Sequence, residues 1–167
     1  MKILVAGVGN VFLSDDGFGV AVAKHLADAD LPEGVTVADF GIRGIHLAYE
    51  LTSGAYDSVI LVDAVSRHNP PGTLYVLKPL TSDCPASFVD AHDMTPEMVL
   101  ALAGTLGGET GRVLLVGCEP ADISPGMELS APVAEAVDAA AELVLELIDQ
   151  QIATTLAPAS HEEEPAW

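Results

Sequence analysis

The sequence predicts an α/β fold with a mainly parallel sheet, and three observations predict it. Short apolar runs bounded by chain breakers recur along the chain with helical patterns between them, the signature of βαβ units. The first run, Ile3 to Ala6, passes through glycines and two acids into a helical pattern, a strand-to-helix junction of the kind where open α/β sheets bind ligands. Pro70-Pro71-Gly72 leaves the third and fourth runs only a short link, too short for a helical crossover, so the fourth strand is expected to run antiparallel at an edge.

The first strand is expected over residues 2 to 7, followed by a helix over 17 to 29. Lys2 and the apolar residues after it do not read as a signal peptide, because Gly9-Asn10 interrupts the run and Asp15-Asp16 follows without a small-residue cleavage pattern. A second strand over 35 to 39 leads to a helix over 44 to 53, and Val59-Ile60-Leu61-Val62 marks a third strand over 58 to 63 that closes on Asp63. The fourth strand falls at 73 to 78, a third helix at 95 to 106 and a fifth strand at 112 to 118. The last helix, 130 to 151, carries Val133, Val137, Ala140, Val144, Ile148 and Ile152 three or four apart, with Ser130 and Pro132 at its start. One domain is expected over 1–152, and 153–167, ending in His161-Glu162-Glu163-Glu164-Pro165, reads as a flexible acidic tail. Between Leu80 and Thr95 the stretch TSDCPASFVDAHDM shows no periodicity, and its length is unusual for a loop without a function.

Composition narrows the function classes. A chain of 167 residues, 50% hydrophobic, is long enough to bury a sizeable core. Twenty-five acids against six Lys and Arg give a net charge of −19, which argues against nucleic acid and anionic membrane surfaces as partners. No apolar run approaches the length that spans a bilayer. Cys84 and Cys118 are too few and too far apart for a CxxC knuckle or a disulfide framework, and a reducing cytoplasm fits best.

Parallel strands end at one edge of a sheet, so residues far apart in sequence can converge there. Asp16 follows the first strand, Asp63 ends the third, Glu119 follows the fifth, and His92 lies in the aperiodic stretch. Two carboxylates and an imidazole suit a divalent first-row metal. Each residue also has a structural reading: Asp15 and Asp16 precede a helix and can cap it, Asp63 can be a paired strand-end acid, His92 a solvated loop histidine, and His68 turn chemistry. Cys118 reads as a small buried residue, while Cys84 with His92 as base is a further option for a nucleophile. The dinucleotide fingerprint is incomplete, since Gly7-x-Gly9 is followed by Phe12 where a third glycine belongs. Asp39, at the end of the second strand, keeps an alternative open: a nucleotide- or cofactor-binding domain using the Gly7 to Gly19 loop. Asp15-Asp16 in that loop would repel a phosphate.

Taken in order, Gly7-Val8-Gly9-Asn10, Asp15-Asp16-Gly17-x-Gly19, Asp39-x-Gly41-x-x-Gly44, Val62-Asp63-Ala64, Pro71-Gly72-Thr73, Ala91-His92 and Gly117-x-Glu119-Pro120 resemble the hydrogenase maturation protease family over Met1 to about Asp149. The resemblance implies a three-layer αβα fold, a twisted five-stranded sheet between helical layers. It also implies a cytoplasmic, aspartic-type endopeptidase that removes the C-terminal extension of a nickel-iron hydrogenase large-subunit precursor after nickel insertion. By matching position, Asp16, Asp63 and His92 would be both the catalytic set and the metal contacts, engaging nickel supplied by the substrate, with no permanently bound metal required. Two departures stand out. Asp16 occupies a position that is often glutamate in the family, which leaves Asp15 as a possible substitute for it; and Asp39-Phe40-Gly41-Ile42-Arg43-Gly44 replaces the usual Asp-Gly-Gly-Thr, which makes Asp39 and Arg43 candidates for substrate specificity. Arg43 can pair with Asp39 or with a substrate carboxylate. Gly17 and Gly19 are expected to let the following helix pack closely on the sheet and hold Asp16 at its edge.

Overall fold

The computed structural model describes residues 1–54, 56–79, 95–107 and 111–156. Five strands, β1 (Ile3–Val8), β2 (Val35–Gly41), β3 (Ser58–Ala64), β4 (Leu74–Leu77) and β5 (Arg112–Cys118), form one sheet in the order β2-β1-β3-β5-β4. The β1·β2, β1·β3 and β3·β5 pairs are parallel, with Gly7 opposite Val62 and Asp63 opposite Gly117. Strand β4 is the antiparallel edge that the Pro70-Pro71-Gly72 link demands.

Four helices, α1 (Phe18–Ala27), α2 (Gly44–Ser53), α3 (Pro96–Thr105) and α4 (Ala131–Leu156), cover both faces of the sheet. Period-2 alternation divides the strands between two cores. Ile3, Val5, Ile60, Val62 and Val116 meet Phe18, Val22 and Leu26 of α1 and Val133, Ala140, Val144 and Ile148 of α4. Leu4, Ala6, Val59, Leu61 and Leu115 meet Leu47 and Leu51 of α2 and Val99 and Ala103 of α3. The central strands are therefore apolar on both faces, which is why β1 and β3 read as continuous runs rather than alternating ones.

The helix ends follow local chemistry. Thr95 caps α3 by accepting the Met98 N–H at 3.3 Å, with Pro96 in the first turn, where its missing N–H costs nothing. Lys24 and His25 occupy the last turn of α1, favourable at the negative end of the helix dipole. Helix α4 continues past the expected end at 151 to Leu156, with half-buried Ile152 the last residue of its packed face and 153–156 exposed. Residues 157–167 of the expected tail lie outside the described residues, as do 80–94 of the long aperiodic stretch. Among the described residues no helix is long and apolar enough to cross a membrane.

Candidate active site

The chain leaves β1 for β2 through α1 on one face, and leaves β2 for β3 through α2 on the other. The carboxyl ends of β1 and β3 thus flank a topological switch point, where α/β sheets open a crevice. A cleft of about 560 Å³ lies there, on the α2/α3 side of the sheet, and both Asp16 and Asp63 line it.

Asp16 is held by a 3-10 turn, Ser14–Gly17, and its carboxylate accepts the Asn10 N–H at 2.8 Å. Asp63 is the next-to-last residue of β3, with one oxygen accepting the Ala64 N–H at 2.8 Å. Gly9 separates them. Its φ of +128° is one that a side chain rarely adopts, and a Cβ there would strike the Asp16 carbonyl and stand 3.4 Å from Asp63 Oδ1. Burial, and then the neighbouring charge of Asp16, push the Asp63 carboxyl well above its ordinary value; Glu97 adds to this and the Ala64 N–H opposes it.

The close approach of α1 depends on Gly19. A Cβ at that position would clash with the carbonyl oxygens of Val62 and Val8, so glycine alone lets the helix start seat on the ends of β1 and β3. Gly17 is likewise tight, with a Cβ meeting Val11 Cα at 3.1 Å. The helix therefore packs as the glycine spacing predicts, with Asp16 at the sheet edge.

Asp15 and Asp16, adjacent and identical, do different things. Asp15 is fully buried, and its carboxylate accepts from Ala121 N–H at 2.8 Å, Asp122 N–H at 2.9 Å, Ser130 N–H at 2.7 Å and Ser130 Oγ at 2.8 Å. Burial raises its pKa, but these donors outweigh burial and hold it below the ordinary value. So engaged, Asp15 cannot stand in for Asp16 in the cleft. Nor does either acid cap α1, whose first residues receive no side-chain hydrogen bond. Glu119 is also structural rather than a cleft acid. Only 3% exposed, it accepts Arg67 N–H at 2.7 Å, Asn69 N–H at 3.0 Å and Tyr75 OH at 3.3 Å, and so anchors the loop between β3 and β4.

The remaining candidates separate as follows. Arg43 donates to the backbone carbonyls of Asp39 and Phe40 and lies 5.9 Å over the Phe40 ring, so it pairs with the Asp39 main chain and not with its carboxylate. Asp39 is exposed and neither it nor Arg43 lines the cleft, whereas Gly41, Ile42 and Gly44 between and beside them do. His68, at φ +61°, is turn chemistry, as read. Cys118 is a buried free thiol pushed up to about 11, by burial first and then by Asp15 and Glu119. His92 and Cys84 lie outside the described residues, and among the described residues no three His, Cys, Asp or Glu stand close enough to hold a metal. Sequence reasoning missed two cleft residues, Glu97 in the first turn of α3 and Arg67 just beyond β3. The Pro-x-x start of α3 and the short link after Asp63 were the signals that could have pointed to them.

The Gly7 to Gly19 loop has little left for a phosphate. The N–H groups of Gly9, Leu13, Ser14, Asp15 and Asp16 donate to main-chain carbonyls, that of Asn10 to Asp16, and that of Phe12 to the Asn10 side chain. A phosphate cradle needs such amides free. The amides so engaged are not free for the nucleotide-binding alternative.

Residues 20–147 match the sequence profile described as hydrogenase maturation protease. The hydrogenase 2 maturation protease of Escherichia coli is 33% identical over 150 residues, spanning 87% of this chain and 89% of that protein. Among solved structures, a hydrogenase maturating endopeptidase from E. coli superposes with a TM-score of 0.74 at 31% identity, covering 90% of this chain and 94% of the other. A hydrogenase 2 maturation peptidase from a Thaumarchaeota archaeon gives 0.69 at 35% identity, covering 89% and 99%.

Proposed function

The chain belongs to the hydrogenase maturation protease family and is a peptidase, and from that premise we propose that it removes the C-terminal extension of a nickel-iron hydrogenase large-subunit precursor after nickel insertion. The observation that carries the reading is the convergence of Asp16 and Asp63 on one cleft at the switch point, separated by a glycine that no other residue can replace without strain. Burial first, and then the charge of Asp16, raise the Asp63 carboxyl, and a divalent cation between the two carboxylates would favour their ionised forms. The cation is the precursor's own nickel and belongs to the substrate. Asp16 and Asp63, with His92, would contact it and so fix the adjoining peptide in the cleft, and the enzyme would act only on precursor that carries metal. We place the reaction in the cytoplasm, with which the free thiol of Cys118 is compatible.

The test is incubation of nickel-loaded precursor with the full-length protein, scored by loss of the C-terminal peptide. The wild type should release the peptide, precursor without nickel should stay intact, and Asp16→Asn, Asp63→Asn and His92→Ala should each abolish release while remaining folded. Normal cleavage by any of the three variants would remove that residue from the reading. Tight binding without release would make the protein a carrier instead.

A further inference from the structure

The cleft holds a cation that the metal-contact reading leaves without a task. Asp16, Asp63 and Glu97 give its wall three carboxylates, and among the described residues that line it Arg67 is the one basic side chain, drawn from only six Lys and Arg in the whole sequence.

Arg67 is built into place. Its main-chain N–H donates to Glu119 Oε2 at 2.7 Å, and the same buried carboxylate takes the Asn69 main-chain N–H at 3.0 Å and the Tyr75 hydroxyl at 3.3 Å. Asn69 Nδ2 donates in turn to the Tyr75 hydroxyl at 3.0 Å, which ties the loop to β4. The Arg67 guanidinium lies 5.9 Å over the Tyr75 ring, an arrangement that supports the face of the planar group and leaves its N–H edges open. Among the described residues no carboxylate forms an ion pair with it. Arg43, by contrast, is folded back onto its own main chain.

We propose that Arg67 binds a carboxylate of the precursor's C-terminal segment and so determines which peptide enters the cleft. The inference deepens the processing reading and rests on it. An anionic group approaching three acids is repelled everywhere except at a fork of N–H donors, and guanidinium matches carboxylate in a bidentate pair. Two sources share that chemistry, the terminal α-carboxylate and an acidic side chain in the extension. Glu119 and Tyr75 are positioning residues that present the guanidinium.

The experiment measures kcat and KM for cleavage by wild type, Arg67→Lys and Arg67→Met on three nickel-loaded precursors: unmodified, ending in a carboxamide, and with the extension's acidic side chains changed to their amides. On the unmodified precursor Arg67→Met should raise KM about 10- to 100-fold with kcat and Tm unchanged. Arg67→Lys should fall between, since the ammonium keeps the charge and loses the fork. The carboxamide precursor should erase the difference between wild type and Arg67→Met if the α-carboxylate is the ligand, and the amide-substituted one should do so if a side chain is. Equal KM for wild type and Arg67→Met on the unmodified precursor overturns the proposal, and so does an undiminished difference on both altered precursors. Failure of the wild type to cleave any of them overturns the processing reading, and this proposal falls with it.

Discussion

Asp15 and Ser130, 115 positions apart, are joined by two hydrogen bonds: the Ser130 N–H reaches one carboxylate oxygen at 2.7 Å and its hydroxyl the other at 2.8 Å. With Ala121 and Asp122 donating to the same group, one buried carboxylate ties the loop after β1 to the segment between β5 and α4. Replacing it by Ala removes the shared acceptor of four donors and empties a fully buried position. Asp15→Ala should lower unfolding free energy by at least about 3 kcal/mol and Ser130→Ala by about 1 kcal/mol, measured by urea denaturation. Near-wild-type stability of Asp15→Ala would show that the donors find other partners.

The same group sets a dependence on acid. The pKa of Asp15 in the folded chain lies below the ordinary 3.8, so its contribution is fully present above that value and is lost as pH falls through the folded pKa. Thermal melts should therefore show an extra loss of stability below about pH 4 in the wild type that is reduced in Asp15→Asn. Parallel curves for the two proteins would contradict this.

Asp63 has the opposite sign. A carboxyl raised above its ordinary value opposes folding once pH exceeds the unfolded value, since ionising it costs more in the folded state. Asp63→Asn removes burial of a charge and its repulsion from Asp16, so at neutral pH the free variant should melt about 2–4 °C higher, a gain of about 1 kcal/mol. It should also lose any rise in Tm that nickel chloride gives the wild type. A variant less stable than wild type would mean that Asp63 has a structural partner not accounted for.

Gly19→Ala should destabilise out of proportion to one methyl group. The added carbon would press on the carbonyl oxygens of Val62 and Val8, lifting the start of α1 from the sheet, at a cost of about 3 kcal/mol. Because Asp16 immediately precedes that helix, the variant should also lose processing at temperatures where circular dichroism shows it folded. Full activity in a folded Gly19→Ala protein would separate the helix seat from the site.

Much of the architecture was legible beforehand because it depends on short-range pattern. Val59-Ile60-Leu61-Val62 reads as a strand buried on both faces, and Pro70-Pro71-Gly72 leaves no room for a helical crossover, so β4 reverses and pairs antiparallel with β5 at the edge. The two carboxylates of the cleft were legible for the same reason: Asp16 follows one apolar strand and Asp63 closes the apolar run of another, and the topology carries strand ends to one edge. Arg67 and Glu97 escaped notice because one lies in a link and the other in the first turn of a helix, where a single polar residue carries no period. The extent of α4 was underestimated because its last residues, 153–156, are exposed and add nothing to the apolar stripe that marks the helix.

By itself the sequence determined the order of strands and helices, the reversal at the edge and the glycines that let helix and sheet meet. The tertiary structure alone decided between Asp15 and Asp16. In a 3-10 turn neighbouring side chains leave the axis roughly 120° apart. One of two identical acids therefore turns inward to the four donors of Ala121, Asp122 and Ser130, and the other faces the cleft beside Asp63. No property of the residues themselves distinguishes them; the difference lies in what the rest of the chain brings to each side of the turn, residues more than 100 positions away to Asp15 and the end of β3 to Asp16.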